Sequence, residues 1–364
     1  MKKITVLIVD DSAFMRKLLK EFLTEDPNIL IVGTARNGAD AIKKVKELKP
    51  DVVTLDVEMP IMDGIDALKI MMEECPTAVI MLSSTTQGGT ESTLAAMQLG
   101  AFDFIAKPSG AISLDLHKIK SELISKVLCA GTANIAKLHM PQNEYERKPA
   151  VVESNSETVQ QKFLTHKHIP YKTGSEKKLI VIGTSTGGPR ALQTVLSMLP
   201  ASINAPILVV QHMPPGFTKS LSQRLDTLSA IQVKEAEDGE ILKKGTAYIA
   251  PGGYHLKVKK LGMSLAVSID QTVQQNGHRP SVDTLFESVS EIENYEKIAV
   301  IMTGMGMDGA NGLIQLKKTG ITMAIAESQE TSIVFGMPKA AIATGCIDKI
   351  VDVEDIASVI NSYC

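Results

Sequence analysis

The spacing of apolar runs and glycine-marked turns predicts an α/β chain of two domains, each built on a mainly parallel sheet. Three observations carry this reading. Residues 1 to 126 alternate short apolar runs with amphipathic stretches, the pattern of successive strand–helix units. From about Gly131 to Lys177 the periodicity is lost in a stretch rich in Lys, Glu, Gln, Asn, Ser and Thr, with Pro141, Pro149 and Pro170 interspersed. Such a composition buries too little apolar surface to fold alone. Alternation then resumes at Lys178-Leu179-Ile180-Val181-Ile182, runs through Gly183-Thr184-Ser185-Thr186-Gly187-Gly188, and continues at helical spacing through Ala191, Leu192, Val195, Leu196 and Leu199. The expected division is a first domain over 1–126, a linker over 127–177 and a second domain over 178–364.

Composition narrows the class. Of 364 residues, 44% are apolar and 22% charged, as in soluble globular proteins. The net charge is −3 and there is no Lys/Arg block, so no nucleic-acid footprint is present. Cys75, Cys129, Cys346 and Cys364 are scattered without Cys-x-x-Cys spacing, which predicts reduced thiols and no metal site on cysteine. The first apolar run stops at Asp10-Asp11 with no small-residue cleavage site, so it reads as a strand and not a signal peptide. No run approaches the roughly 18 apolar residues of a membrane span. A cytoplasmic protein without membrane insertion is expected, with monomer as the default state.

In the first domain, strands are expected at 4–9, 29–35, 52–55, 78–82 and 102–106, with helices such as 12–23 and 39–48 between them and Ser12 as an N-cap. A doubly wound sheet of five strands places its ligand site at the C-terminal strand ends. There the sequence offers Asp10, Asp11, Asp56, Ser83, Ser84 and Lys107. Unit charges about 4 Å apart repel by roughly 4 kcal/mol at an effective dielectric of about 20, so three carboxylates on one rim call for a cation. An all-oxygen set favours Mg²⁺. Asp beside Mg²⁺, with Lys and a hydroxyl nearby, suits acceptance of a phosphoryl group. The competing reading makes the acidic residues helix caps.

These stretches resemble the response-regulator receiver family. The residues that carry the likeness are Val9-Asp10-Asp11-Ser12, Asp56-Val57-Glu58-Met59-Pro60-Ile61-Met62-Asp63-Gly64, Met81-Leu82-Ser83-Ser84 and Phe104-Ile105-Ala106-Lys107-Pro108. The resemblance implies a flavodoxin-like (βα)5 fold with Asp56 as phosphoacceptor. It implies Mg²⁺ on Asp10, Asp11 and Asp56, with the Glu58 backbone carbonyl as a further ligand. Ser83 would be the switch hydroxyl, Phe104 the switch aromatic and Lys107 the contact to the phosphoryl group, with a cis Lys107–Pro108 bond. Ile61 departs from the family, many of whose members carry Arg there.

A last amphipathic helix is expected at 114–128, before the linker. His139, His166 and His168 lie in the linker, and with no Cys or carboxylate cluster beside them they read as exposed residues. In the second domain, strands are expected at 179–182, 207–211, 232–236, 246–249, 265–269, 299–302, 322–326 and near 347–350. Helices are expected at 189–199, 217–228, 282–291, 309–319 and 337–343. Turns at Asp238-Gly239-Glu240 and Pro251-Gly252-Gly253 read as hairpin-like, giving the parallel sheet an antiparallel extension.

Gly183-x-Ser185-x-Gly187-Gly188 between strand and helix is the setting of a nucleophile elbow, with the Thr186 N–H available to an oxyanion. Alone it is a weak signal, since such turns also cradle phosphates or simply pack tightly. A serine nucleophile needs a base and usually a carboxylate to orient it. His212 follows the strand at 207–211, and Asp308 lies in the Gly-rich turn after the strand at 299–302. Three parallel strands thus deliver Ser, His and Asp to one rim. His255 and His278 sit off irregular segments and are weaker candidates. The competing readings are a polar loop histidine for His212 and an N-cap for Asp308. The chain order Ser, His, Asp differs from that of α/β-hydrolases, so a separate Rossmann-like sheet is expected.

Ile182-Gly183-Thr184-Ser185-Thr186-Gly187-Gly188, Gln211-His212-Met213-Pro214-Pro215-Gly216-Phe217, Ile249-Ala250-Pro251-Gly252-Gly253-Tyr254-His255, Arg279-Pro280-Ser281-Val282-Asp283 and Met302-Thr303-Gly304-Met305-Gly306-Met307-Asp308-Gly309 resemble the CheB family. These are chemotaxis protein-glutamate methylesterases that also deamidate glutamine. The resemblance implies Ser185, His212 and Asp308 as triad, Met305 backbone at the oxyanion and Thr186 beside the nucleophile. No metal is expected at this second site. Chemotaxis receptors as substrate and a chemotaxis histidine kinase as phosphodonor are likewise implied. Met307 stands where a polar residue is expected. A response regulator with a partner-binding output, or a triad hydrolase of another ester or amide, are the alternatives.

Overall fold

The computed structural model describes residues 2–107, 114–134, 177–320 and 322–364. Residues 135–176, with His139, His166 and His168, lie outside the described residues, as does Pro108 of the Lys107–Pro108 bond. Among the described residues the cis peptide bond is Arg279–Pro280.

The first unit runs β1 (Ile4–Val9), α1 (Ala13–Thr24), β2 (Ile29–Ala35), α2 (Gly38–Leu48), β3 (Val52–Asp56), α3 (Gly64–Glu74), β4 (Ala78–Ser83), α4 (Gln87–Gln98), β5 (Asp103–Ala106) and α5 (Leu114–Ala130). The strands pair in parallel in the order β2-β1-β3-β4-β5. β3 and β4 are buried along their whole length, as a parallel sheet with helices on both faces requires. Side-chain caps start the helices just past the strand ends. Ser12 accepts from Met15 N, Asn37 from Asp40 N, Asp63 from Asp66 N and Thr86 from Gly89 N. The C-terminal rim is thereby left to the strand ends and short loops, with Asp56 and Ser83 closing β3 and β4 and Asp10, Asp11 and Lys107 just beyond β1 and β5. α5 passes through position 126 and reaches Ala130, with Leu123, Val127 and Ala130 buried.

Gly64 makes one of these loops possible. A Cβ there would sit 2.0 Å from the Asp56 carbonyl oxygen, a backbone atom that cannot move aside. Gly64→Ala is expected to destabilise the protein by about 1–3 kcal/mol, read as a lowered denaturation midpoint. An unchanged midpoint would show that the β3–α3 connection is looser than this packing implies.

The second unit runs β6 (Lys178–Thr184), α6 (Gly188–Ser197), β7 (Ile207–Gln211), α7 (Phe217–Leu228), β8 (Gln232–Glu235), β9 (Thr246–Ile249), β10 (His255–Leu261), β11 (Ser264–Asp270), α8 (Val282–Ser290), β12 (Glu296–Ile301), α9 (Ala310–Lys318), β13 (Thr322–Glu327), α10 (Met337–Ala343), β14 (Lys349–Val351) and α11 (Val353–Tyr363). Seven strands form one parallel sheet in the order β14-β13-β12-β6-β7-β9-β8. β6 lies at the centre, flanked by β12 and β7.

The antiparallel part is a separate pair, β10 with β11. Two local expectations change. β8 and β9 pair in parallel, so Asp238-Gly239-Glu240 closes no hairpin between them. That segment instead runs along β11, with Gly239 N donating to Val267 O, Val267 N to Glu240 O and Leu242 N to Leu265 O. β10 was not expected at all. Its Lys257, Lys259 and Lys260 mask the alternation: Leu256 and Val258 are buried at one end of the strand, while the run Lys259-Lys260-Leu261 at the other end is exposed.

The two units touch. The Phe104 and Phe217 rings stack with centroids 4.6 Å apart. Thr186 Oγ1 donates to Asp103 Oδ2 at 2.6 Å, and the Thr90 and Ser220 hydroxyls meet at 2.9 Å. Gln98 bridges Gln193 and Arg224, beside a seam lined by Leu94, Met97, Pro189 and Leu221.

Candidate active site

The rim of the first sheet gathers its acidic residues as expected. Carboxylate oxygens of Asp10, Asp11 and Asp56 lie within 4.8 Å of one another, with Asp10 and Asp56 buried and Asp11 exposed. Lys107 Nζ is 2.7 Å from Asp56 Oδ2 and 3.0 Å from Asp10 Oδ2. Asp10 Oδ2 is buried, and the Lys107 ammonium is the charge that faces it. Three carboxylates against one ammonium fit a hard divalent cation. Glu58 N donates to Asp56 Oδ1 at 3.4 Å. Ser83 Oγ donates to the Ser84 and Gly89 carbonyls, so the hydroxyl is turned toward α4 and away from Asp56. Phe104 sits under the second unit, stacked on Phe217.

Burial pushes Asp56 up to about 6, with Lys107 working against the shift and Asp10 adding to it. A carboxyl raised on folding contributes stability that is present below its unfolded value, near 3.8, and lost as pH rises through about 6. Asparagine carries no such penalty. In chelator, Asp56→Asn is expected to exceed the wild type in stability at pH 8 by on the order of 2–3 kcal/mol. The gap should begin to close as pH falls below about 6 and vanish near the unfolded value of 3.8. A gap independent of pH, followed by denaturant midpoints, would contradict the assignment.

In the second unit, Ser185 follows β6, His212 follows β7 and Asp308 lies beyond β12, three neighbouring strands with their C-terminal ends on one rim. The elbow is rigidly built. Gly187 takes φ +78°, and a Cβ on Gly188 would lie 1.9 Å from Gln211 Oε1. The buried Gln211 amide donates to the Ser185 and His212 carbonyls, tying the two loops together. Ser185 N donates to Thr303 O, and Gly304 has no room for a Cβ against Ser185 Cβ. Neither the Thr186 nor the Met305 N–H is taken by a backbone carbonyl among the described residues, so both remain available to an oxyanion.

His212 Nε2 lies 2.8 Å from Asp308 Oδ2. A carboxylate only accepts, so Nε2 carries the proton and Nδ1 keeps its lone pair. Nδ1 is buried and has no partner, hence no hydrogen bond yet joins it to Ser185. Asp308 is not a cap of the helix that follows it. α9 begins at Ala310 with Gly309 as its N-cap and no side-chain cap, while Asp308 sits at the N-terminus of α8 and accepts from Val282 N, Asp283 N and Ser281 Oγ. Burial alone would raise its pKa, but His212, Val282 N–H and Asn276 hold it well below the usual carboxylate range.

Of three further neighbours, sequence reasoning missed Asn276, set His278 aside as a weaker base and quoted Ser281 only within a family motif. His278 stacks on His212 with centroids 3.8 Å apart. Burial, reinforced by His212, pushes it down to about 4, which keeps the ring neutral. Ser281 and Asn276 both donate to Asp308 Oδ1. A structural signal existed only for Ser281, an N-cap residue type immediately before the apolar helical run; it caps α8.

Comparison with known proteins agrees with this geometry. A family model described as CheB methylesterase matches residues 180–360, and a response regulator receiver domain model matches 6–117. A protein-glutamate methylesterase/protein-glutamine glutaminase of Geobacillus kaustophilus is 54% identical over 363 residues, covering 99% of this chain and 98% of the relative. One of Bacillus subtilis is 51% identical over 359 residues, covering 99% of this chain and 98% of the relative. The crystal structure of the Thermotoga maritima CheB methylesterase catalytic domain aligns with a TM-score of 0.50 at 46% identity, over 52% of this chain and 99% of that one. With relatives this similar along its whole length, the chain belongs to the CheB family of protein-glutamate methylesterase/protein-glutamine glutaminases.

Proposed function

We propose that the protein is a phosphorylation-activated serine hydrolase that demethylates glutamate methyl esters, and deamidates glutamines, on methyl-accepting chemotaxis receptors. The observation that carries it is the His212–Asp308 pair at 2.8 Å with a buried, unpartnered His212 Nδ1 on the rim that bears Ser185. Ser185 Oγ attacks the side-chain carbonyl, and His212 Nδ1 takes its proton. Asp308 holds the tautomer and offsets the imidazolium charge. The Thr186 and Met305 N–H groups receive the oxyanion, which lowers the barrier by roughly 3–4 kcal/mol. His212 gives the proton to the departing methoxide oxygen or amide nitrogen, which leaves as methanol or ammonia, and water hydrolyses the acyl-enzyme with His212 again taking and returning a proton.

The receiver, 1–126 by sequence and carried to Ala130 by α5, is joined by the linker to a catalytic unit over 178–364. Asp56 is the phosphoacceptor and a chemotaxis histidine kinase the donor. Asp10, Asp11 and Asp56, with the Glu58 carbonyl, would hold Mg²⁺, which neutralises phosphoryl oxygens when bound. Lys107 contacts the phosphoryl group, and Ser83 and Phe104 report it. Among the described residues no helix is long and apolar enough to cross a membrane. A cytoplasmic monomer that reaches the receptors from solution accords with this.

The test is methanol release from methylated receptor membranes, with and without a small phosphodonor. Release that rises with phosphodonor, and loses the rise in Asp56→Ala, supports the reading. No release by folded wild-type protein would remove the receptor substrate.

A further inference from the structure

Asp308 does not sit alone. Asp283, at the start of α8, is equally buried, and each carboxylate occupies the N-terminus of the other's helix. Asp308 precedes α9 yet accepts from Val282 N and Asp283 N of α8. Asp283 belongs to α8 yet accepts from Gly309 N at 3.0 Å and Gly312 N at 2.7 Å, at the start of α9. This exchange packs α8 against α9, but it brings two negative charges together out of water. Burial and the charge of Asp308 accordingly raise the pKa of Asp283.

One side chain mediates between them. Asn276 Nδ2 donates to Asp283 Oδ2 at 2.8 Å and to Asp308 Oδ1 at 2.9 Å. Both partners are acceptors, so the amide orientation is fixed: only the NH₂ end fits there. The backbone is shaped for the purpose. Asn276 at φ +54° and Gly277 at φ +80° form a two-residue turn closed by mutual hydrogen bonds between Gln275 and His278. Gln275 pins that turn to α8 through Thr284 and Glu287.

We infer that Asn276 is a positioning residue for the hydrolysis: its amide, giving one N–H to each carboxylate, keeps Asp308 charged and aligned on His212. The inference rests on the reading of Ser185, His212 and Asp308 as the triad. Without the amide the two carboxylates lose the one side chain that donates to both, and each keeps only its other donors. A proton taken up by the pair, or a turn of Asp308 away from Asp283, removes the acceptor that fixes His212 Nε2–H.

The test separates this role from a structural one. Asn276→Gly keeps the positive φ without strain and deletes only the amide, whereas Asn276→Asp keeps the shape and adds a third carboxylate. In full-length protein, kcat for methanol release is expected to fall roughly ten- to a hundredfold in Asn276→Gly, as for loss of a hydrogen bond to a charged group, with KM unchanged. It should fall further in Asn276→Asp. A merely structural role predicts the opposite order, because Asp is the closer mimic in size and tolerates the same φ. In an Asp283→Asn background, where one charge is gone, the cost of Asn276→Gly should shrink. Asn276→Gly within twofold of wild type, Asn276→Asp more active than Asn276→Gly, or an undiminished cost in the Asp283→Asn background would each overturn the inference. Wild-type protein that released no methanol would instead remove the hydrolase reading beneath it.

Discussion

Ser185→Ala is expected to lower kcat for methyl-ester hydrolysis by about a millionfold, while the receiver accepts phosphoryl groups as before. The size follows from how little else can substitute. Gln211 and Thr303 fix the Ser185 backbone, so alanine enters the same elbow without disturbing it. The unfilled position leaves His212 Nδ1 with a lone pair and nothing to deprotonate except water. The oxyanion donors remain, which is why a residual rate of roughly a thousandfold over uncatalysed hydrolysis persists in such variants. Asp308→Asn should cost less, about ten-thousandfold, because the amide can donate where the carboxylate accepted and so favours the wrong tautomer. The measurement is single-turnover methanol release with Asp56 phosphorylation followed in parallel. Loss of both activities would point to misfolding. Retention of esterase activity in Ser185→Ala would show that Ser185 occupies only a tight turn.

The placing of Ser185, His212 and Asp308 on one rim was legible because each follows an apolar parallel strand, and parallel strands bring their C-terminal ends together. Ser185 and His212 stand immediately beyond β6 and β7, whose register pairs Thr184 with Gln211. Asp308 was reachable through the glycine-rich loop after β12. The same logic placed Asp10, Asp56, Ser83 and Lys107 around the first sheet. Residues outside that logic were missed or set aside. Asn276 and His278 lie between β11 and α8, and their contacts with Asp308 and His212 depend on how a hairpin turn folds over the rim, which no periodicity encodes. The nitrogen of His212 that faces Asp308 is likewise a matter of side-chain rotation. β10 was hidden because its apolar positions are interrupted by lysines that only the finished hairpin explains. The contacts between the units were invisible for a different reason: Thr90, Gln98 and Ser220 look like ordinary helix-surface residues until the two domains meet.

Thr90→Arg is expected to raise the esterase activity of the unphosphorylated protein to that of the phosphorylated wild type and to abolish further stimulation. Thr90 lies on α4 of the receiver and is only 2% exposed, its hydroxyl against Ser220 of α7. An arginine there must be accommodated by opening the seam, because an uncompensated buried charge costs several kcal/mol. Each tenfold in the open population needs only about 1.4 kcal/mol, so the substitution exceeds what phosphorylation has to supply. The opening reaches the active site through β5. Asp103 holds the Thr186 hydroxyl beside the nucleophile, and the next residue, Phe104, stacks on Phe217. On the proposed switch, a movement of Phe104 as Ser83 turns to a phosphoryl group on Asp56 would loosen both contacts at once. Thr90 touches none of the reacting groups, so a gain of activity can come only through release of the rim. Methanol release with and without phosphodonor decides the matter. If Thr90→Arg stays as inactive as the unphosphorylated wild type and is still stimulated, the α4–α7 seam is not what restrains the enzyme, and the Asp103–Thr186 bond must be tested as the restraint in its own right.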